Sequence, residues 1–446
     1  MAVVAGRRAN AGSGPRRSGS ETALPPMVPR FNVREPGRGD ETDDVQNVMV
    51  NEVDRNRRTF IASMARNLLA VPPAVSLVSS PARTLQTAAV TAQALMASRG
   101  ADAQVPSGYP ASYADTFAAA RKEGKVVVYA TTDVSSATPL NRAFDALYPD
   151  VKVDYREIDS PDLYRRFLEE TSAHRPSADV LWSSAMDLQL KLVNDGYAQA
   201  YASPEAASLP EWAVWKNEAF GSTFEPVVFI YNERQLRPGE VPQTHTDFAR
   251  LLRERPERFK GRVTTYDIEK TAVGFLLATQ DSRATASFWP LAKLLGESNV
   301  RLETSTAAMM EAVGSGTALL GYNVIGSYAM ARARMDPSIA VVLPSDYTLV
   351  LSRVACIAKA AANPNAARLW LDFLLSNHGQ TLLAAKSGLP SVRRDVAGAV
   401  TATALAKSLG ASLRPIAVGP GLLVYLDRAK RQDFLRQWRD AMATGR

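Results

Sequence analysis

The chain has 446 residues, of which 46% are apolar, so two or three units with a sizeable core are expected. Its formal charge is +7, but residues 1–103 hold 13 Arg, no Lys and 9 acidic residues, so the rest is almost balanced and a nucleic-acid-binding surface is not indicated. The single cysteine, Cys356, rules out an intrachain disulfide, and within Val354-Ala355-Cys356-Ile357 it reads as a small buried hydrophobe.

Residues 1–48 are rich in Arg, Gly, Ser, Pro and Asp with few aromatics, a composition that predicts disorder. Asn56-Arg57-Arg58-Thr59-Phe60-Ile61 follows, with the paired arginines, single spacer and apolar residues of a twin-arginine export signal. A mostly uncharged stretch from Leu68 to Ala97 ends at Ala101-Asp102-Ala103, a small-x-small cleavage site, so the mature chain is expected to begin at Gln104 and to be periplasmic. Met49 is an alternative start. No uncharged apolar run is long enough for a membrane span.

The body alternates strands and helices. A helix over Tyr113–Gly124 precedes the strand Lys125-Val126-Val127-Val128-Tyr129, which ends on Ala130-Thr131-Thr132-Asp133. Leu140, Phe144 and Leu147 mark a helix near 136–148, and Val151 to Tyr155 alternates as a strand. Ser160-Pro161-Asp162 opens a helix, with Ser160 as its cap. The strand Ala178-Asp179-Val180-Leu181-Trp182 ends on Ser183-Ser184, before a helix over 186–194 that Gly196 stops. This order implies a parallel sheet covered on both faces. A second unit starts near residue 225 with the strand Val227 to Asn232, and Thr246-Asp247 opens a helix through Glu254. A strand near Val263 to Asp267 leads to a helix from Glu269 through Leu277, then a helix at 305–314 and the strand Ala318 to Asn323. Strands at Ile339–Pro344 and Leu349–Ala358 follow, and Asn363-Pro364-Asn365 opens an amphipathic helix carrying Leu369, Trp370, Phe373 and Leu374.

In an open parallel sheet, ligands bind beyond the carboxyl ends of the strands. Thr131, Thr132, Asp133, Ser183 and Ser184 stand at such ends, and Thr271 enters a helix just after one. The same hydroxyls also suit helix caps, and a helix N-terminus is itself anion-friendly. His174, His245 and His378 are scattered without metal-ligand spacing, and no nucleophile elbow, P-loop or dinucleotide fingerprint occurs. No catalytic residue, metal ligand or cofactor is therefore assigned.

From about residue 113 to the end the chain resembles the periplasmic solute-binding proteins of ABC transporters, in particular the branch of ferric-ion and 2-aminoethylphosphonate binders. The matching segments, in the family's order, include Lys125 to Tyr129 before a hydroxyl turn, Ser177-Ala178-Asp179-Val180 and Asp195-Gly196-Tyr197. Phe229-Ile230-Tyr231-Asn232, Phe259-Lys260-Gly261-Arg262-Val263 and Gly314-Ser315-Gly316 follow. Asn363 to Arg368, with Asp372-Phe373-Leu374-Leu375-Ser376 and Gly379-Gln380, completes the set.

The resemblance implies an α/β fold of two lobes joined by hinge strands, with solute trapped between them. Lobe 1 is expected over 104–225 and lobe 2 over 226–340. The segment 341–446 would return to lobe 1 and pack across both. Ferric binders of this branch use a His, a Glu and an adjacent Tyr pair. Asp133 and Ser184 stand at the His-like and Glu-like positions, and the Tyr-pair region reads Gly321-Tyr322-Asn323-Val324, with Tyr328 beyond. The expected ligand set is therefore Thr131, Thr132, Asp133, Ser183 and Ser184 from one lobe and Thr271, Tyr322 and Asn323 from the other. It would hold an organic or oxyanion-bearing solute in preference to iron. The expected partners are that solute and the permease subunits in the inner membrane, with the receptor a monomer. A ferric-binding protein, a small-molecule enzyme and a ligand sensor on the same fold stay open as alternatives.

Overall fold

The computed structural model describes residues 109–443. The leader, the Arg57-Arg58 pair, Ala101-Asp102-Ala103 and Gln104 lie outside the described residues.

In chain order the elements are α1 (Tyr113–Glu123), β1 (Lys125–Ala130), α2 (Val134–Leu147), β2 (Lys152–Glu157), α3 (Ser160–Ser172), β3 (Val180–Ser183) and α4 (Met186–Asn194). Then come β4 (Val214–Trp215), β5 (Ala219–Gly221), β6 (Glu225–Asn232), α5 (His245–Glu254), β7 (Val263–Tyr266), α6 (Ala272–Ala284), α7 (Phe288–Glu297), β8 (Arg301–Glu303) and α8 (Thr306–Gly314). The chain finishes with β9 (Leu320–Ile325), α9 (Gly326–Met335), β10 (Ile339–Val342), β11 (Thr348–Leu351), β12 (Val354–Ile357), α10 (Pro364–Leu375), α11 (Ala402–Leu409), β13 (Leu413–Pro415) and α12 (Arg428–Ala443).

Two sheets define two lobes. The first has the order β2-β1-β3-β12-β5-β4 and the second β13-β11-β6-β9-β7-β8, with β10 also paired to β6. The first sheet is mixed rather than parallel: β2, β1 and β3 run together, but β12 pairs antiparallel with both β3 and β5. The expected strand over 349–358 is two strands, one in each sheet, and the break falls at Ser352-Arg353. The chain therefore crosses between lobes twice in adjacent places, at Ser222–Phe224 and at Ser352-Arg353. Smaller differences concern caps: Asp159 rather than Ser160 precedes α3, and Thr244 rather than Thr246 caps α5, accepting from the Asp247 amide at 2.9 Å.

The core of lobe 1 forms because β1 and β3 are apolar on both faces and helices cover each face. Trp182 packs edge-on against Trp370 of α10 at 5.9 Å, and its indole donates to Ser222 at 2.8 Å. Asp179, fully buried, accepts from the Val127 amide at 2.8 Å and from the amide and side chain of Asn363 at 2.9 Å, so it ties β1 to the start of α10. Cys356 is wholly buried in β12, and burial pushes its thiol up to about 12.

The C-terminal segment touches both lobes. β13 pairs with β11, the Val418 amide donates to the Trp212 carbonyl at 2.7 Å, and Pro420–Leu426 packs on α4. α12 then returns to α7, where Phe434 and Trp438 are buried against Phe288. No helix among the described residues is long and apolar enough to cross a membrane.

Candidate functional site

Strand register brings the ends of several strands to one edge. Ala130 lies beside Trp182, and Ser183 pairs with Val354, the first residue after the hinge crossing. In lobe 2, Val227 pairs with Ile325, so the start of β6 and the end of β9 meet. β7 runs parallel to β9 and delivers Tyr266, and then the N-terminus of α6, to the same edge.

On the lobe 1 side, Thr131 joins two strand ends: its Oγ1 accepts from the Ser184 amide at 3.0 Å and lies 3.3 Å from Ser184 Oγ. Ser183 accepts from the Ala185 amide at 3.1 Å. Asp133 caps α2, accepting from the Ser136 amide at 2.8 Å and from the Ser135 hydroxyl. Partial burial would raise the Asp133 carboxyl, but hydrogen bonds from Ser135, Ser136 and Tyr328 outweigh it and hold the group below the ordinary range. Thr132 is fully buried. Its Oγ1 accepts from Arg353 Nη1 at 2.9 Å and its carbonyl from the Tyr155 hydroxyl at 2.6 Å.

The floor is a network that sequence reasoning missed. Arg353 stands in one hinge crossing and Glu225 opens β6 directly after the other, and both are buried. Arg353 Nε donates to Glu225 Oε1 at 2.9 Å and Nη2 to Oε2 at 3.2 Å, a bidentate pair. Glu225 also accepts from Thr223 at 2.8 Å and from the Ser327 hydroxyl. Thr223 Oγ1 in turn accepts from the Arg353 amide, and Ser222 and Ser352 complete the lacing. Tyr328, in the first turn of α9, stands 5.2 Å over the Arg353 guanidinium and reaches Asp133 in the other lobe. Burial alone would lower the Arg353 pKa; Glu225 and Tyr328 reverse this and keep the cation fixed. The one signal for this network was a lone Arg breaking an apolar run before Cys356.

Thr271 sits at the entry of α6, half-buried, with its hydroxyl donating to the Asp267 carbonyl at 2.8 Å. Tyr322 and Asn323 do not join this group, which corrects the expected ligand set. Both are buried in lobe 2, with the Tyr322 hydroxyl donating to Asp281 at 2.7 Å and the Asn323 amide at 2.6 Å. Asp281 lies ten residues beyond Thr271 on α6, roughly 15 Å along the helix from the hinge edge. The reason is local: Asn323 has φ 59°, and the pairing of β6 with β9 shifts between Val228 and Ile230, so side-chain alternation is not maintained. Ser327 and Tyr328 face the edge in their place.

Among the described residues no group of three or more His, Cys, Asp or Glu side chains is arranged to hold a metal ion. Two α/β lobes, a double hinge crossing and hydroxyl-rich strand ends converging on it define a two-lobed solute-binding architecture. The chain belongs to the bacterial extracellular solute-binding protein family, whose profile matches residues 140–408. It is 40% identical to the substrate-binding protein of an ABC transporter from Agrobacterium tumefaciens, with a TM-score of 0.68 over 71% of this chain and 94% of that one. AfuA from Actinobacillus pleuropneumoniae, solved with exogenous fructose-6-phosphate bound, is 18% identical, with a TM-score of 0.58 over 72% of this chain and 98% of that one. Iron-bound HitA from Pseudomonas aeruginosa is also 18% identical, with a TM-score of 0.56 over 71% and 99%. These last two are likenesses of fold. The search of curated protein sequences gave no match.

Proposed function

We propose that this protein is the extracytoplasmic receptor of an ABC importer, not an enzyme, and that it captures a small organic or oxyanion-bearing solute by closure of its lobes. The observation that carries this reading is that the strand end bearing Ser183, with Thr131 and Ser184 joined beside it, pairs with Val354 next to the Arg353–Glu225 hinge pair, which Ser327 and Tyr328 of lobe 2 contact. The importer role is supported by the relative from Agrobacterium tumefaciens. The solute class is supported by the N-termini of α4, α6 and α9, none of which carries a side-chain cap. Thr132, Asp133 and Thr271 complete the proposed site, Thr132 by positioning the guanidinium. A solute other than ferric ion is favoured because the Tyr322, Tyr155 and Tyr266 hydroxyls are already hydrogen-bonded to Asp281, the Thr132 carbonyl and Thr306, so none is left free to join Tyr328 on a metal. In this reading the protein acts as a monomer and hands its solute to permease subunits in the inner membrane.

A thermal-shift screen of purified protein against phosphonates, sugar phosphates, amino acids, polyamines and metals tests the reading. A true solute stabilises by about 2.7 kcal/mol at a hundredfold excess over Kd. With that solute, Ser184→Ala and Tyr328→Phe are each expected to weaken binding by about 1–2 kcal/mol. Unchanged affinity in both variants places the site elsewhere, and a stoichiometric visible band with ferric citrate, lost in Tyr328→Phe, makes the protein an iron binder.

The export proposal rests on Arg57-Arg58 and Ala101-Asp102-Ala103. N-terminal sequencing of native protein is expected to read from Gln104, and paired Lys substitutions at Arg57 and Arg58 are expected to leave unprocessed precursor. A native protein starting at residue 1 or 49 defeats it.

A further inference from the structure

Tyr322, which the sequence singles out as a ligand residue, lines a different cavity. We infer that lobe 2 carries a second small-molecule site, separate from the interlobe edge and shaped for a monocarboxylate with an apolar body.

The cavity has a volume of about 300 Å3 and lies between α5, the α6–α7 link and the start of α7. That is about ten water volumes, at the low end for small-molecule sites, and suits a molecule the size of benzoate. Its floor is aromatic and rigid. The Tyr322 and Tyr347 hydroxyls donate to the two oxygens of Asp281 at 2.7 and 3.1 Å, and Tyr347 stacks on His245 at 3.9 Å with the rings 3° from parallel. His245 is held from behind by Asp346, 3.0 Å from Nδ1. The polar tips of the floor are thus satisfied below it, and ring surface is left for an apolar ligand body. Phe288 and Leu291 of α7 and Ala249 of α5 extend that wall.

The rim carries one unpaired cation. Arg250 divides its guanidinium between Asp247 at 3.4 Å and Glu254 at 3.2 Å. Arg253, three residues further along α5, makes no ion pair among the described residues and lines the cavity. Glu254 is the single acidic side chain in the lining, against two arginines. An apolar floor below one unpaired guanidinium, that of Arg253, beside an Arg250 already held by two carboxylates fits a molecule with a single carboxylate and no cation. Phosphate has no apolar body to match the floor, and an amine would meet the arginines.

Isothermal titration of the full chain with benzoate, hexanoate, inorganic phosphate and hexylamine tests this. Saturable binding of benzoate or hexanoate at one per chain is expected, without hexylamine binding. Arg253→Glu, at an exposed position, is expected to weaken it by at least about tenfold, and Ala249→Trp to abolish it by filling the cavity. Ser184→Ala, at the hinge edge, is expected to leave it unchanged. The inference is overturned if neither carboxylate binds saturably, if hexylamine binds as well as they do, if Arg253→Glu has no effect, or if Ser184→Ala removes the binding. Should Ala249→Trp fail to fold, Arg253→Glu decides alone.

Discussion

Replacing Arg353 with methionine is expected to lower the unfolding free energy by about 3–5 kcal/mol, because it strips the cation from a buried carboxylate. Glu225 would keep only the Thr223 and Ser327 hydroxyls, and it has no exposure through which water could replace the guanidinium. The loss also unties the two hinge crossings, since the same guanidinium bonds Thr132 of lobe 1. Urea unfolding followed by tryptophan fluorescence measures it. Replacing both Arg353 and Glu225 with methionine is expected to recover most of the loss, because the pair's desolvation disappears with it. A single-variant loss below about 1 kcal/mol would show that the pair does not brace the hinge.

The second large effect concerns pH. Asp187, in the first turn of α4, is 4% exposed, and its Oδ1 has no hydrogen-bond partner. Burial pushes its carboxyl up to about 6, against which nearby amides and Arg431 act only weakly. The unfolded value is near 3.8, so the folded chain holds the proton longer, and stability falls as pH rises from about 4 to about 6. Two pKa units correspond to a loss on the order of 3 kcal/mol, complete above pH 6. Asp187→Asn is expected to be more stable than the wild type at pH 7.5 by up to that amount, and to flatten the pH dependence of the melting point. Asp372 is also pushed up to about 6 by burial, so some slope remains in the variant. Equal melting points for variant and wild type at both pH 4 and pH 7.5 would refute the assignment.

Much of the scaffold was legible because periodicity and punctuation agree in it. Strands β1 and β3 are apolar runs closed by hydroxyls, and α4 is framed by Ser183-Ser184 and Gly196. The proposed site was legible only where strand ends coincide with those hydroxyls, as at Thr131 and Ser184. The hinge was not, because an apolar run that crosses from one sheet to another looks like one long strand. The break at Ser352-Arg353 is satisfied by Ser222, Thr223 and Thr132, residues more than a hundred positions away. Tyr322 was misplaced because a bulge and the left-handed Asn323 break the alternation on which strand reading depends. Tyr328 drew notice only as a tyrosine beyond the Tyr-pair region and Ser327 had no sequence signal; only the pairing of β6 with β9 puts the start of α9 at the hinge.

The lone thiol has a practical consequence. Cys356 is sealed inside β12 and its sulfur stays protonated at neutral pH, so maleimide reagents find no nucleophile there. Cysteines introduced at exposed Lys122 in lobe 1 and Lys293 in lobe 2 would be the reactive ones, with no background to remove first. The chain is thus ready as it stands for a donor–acceptor dye pair that reads the angle between its lobes, one molecule at a time, as solute comes and goes.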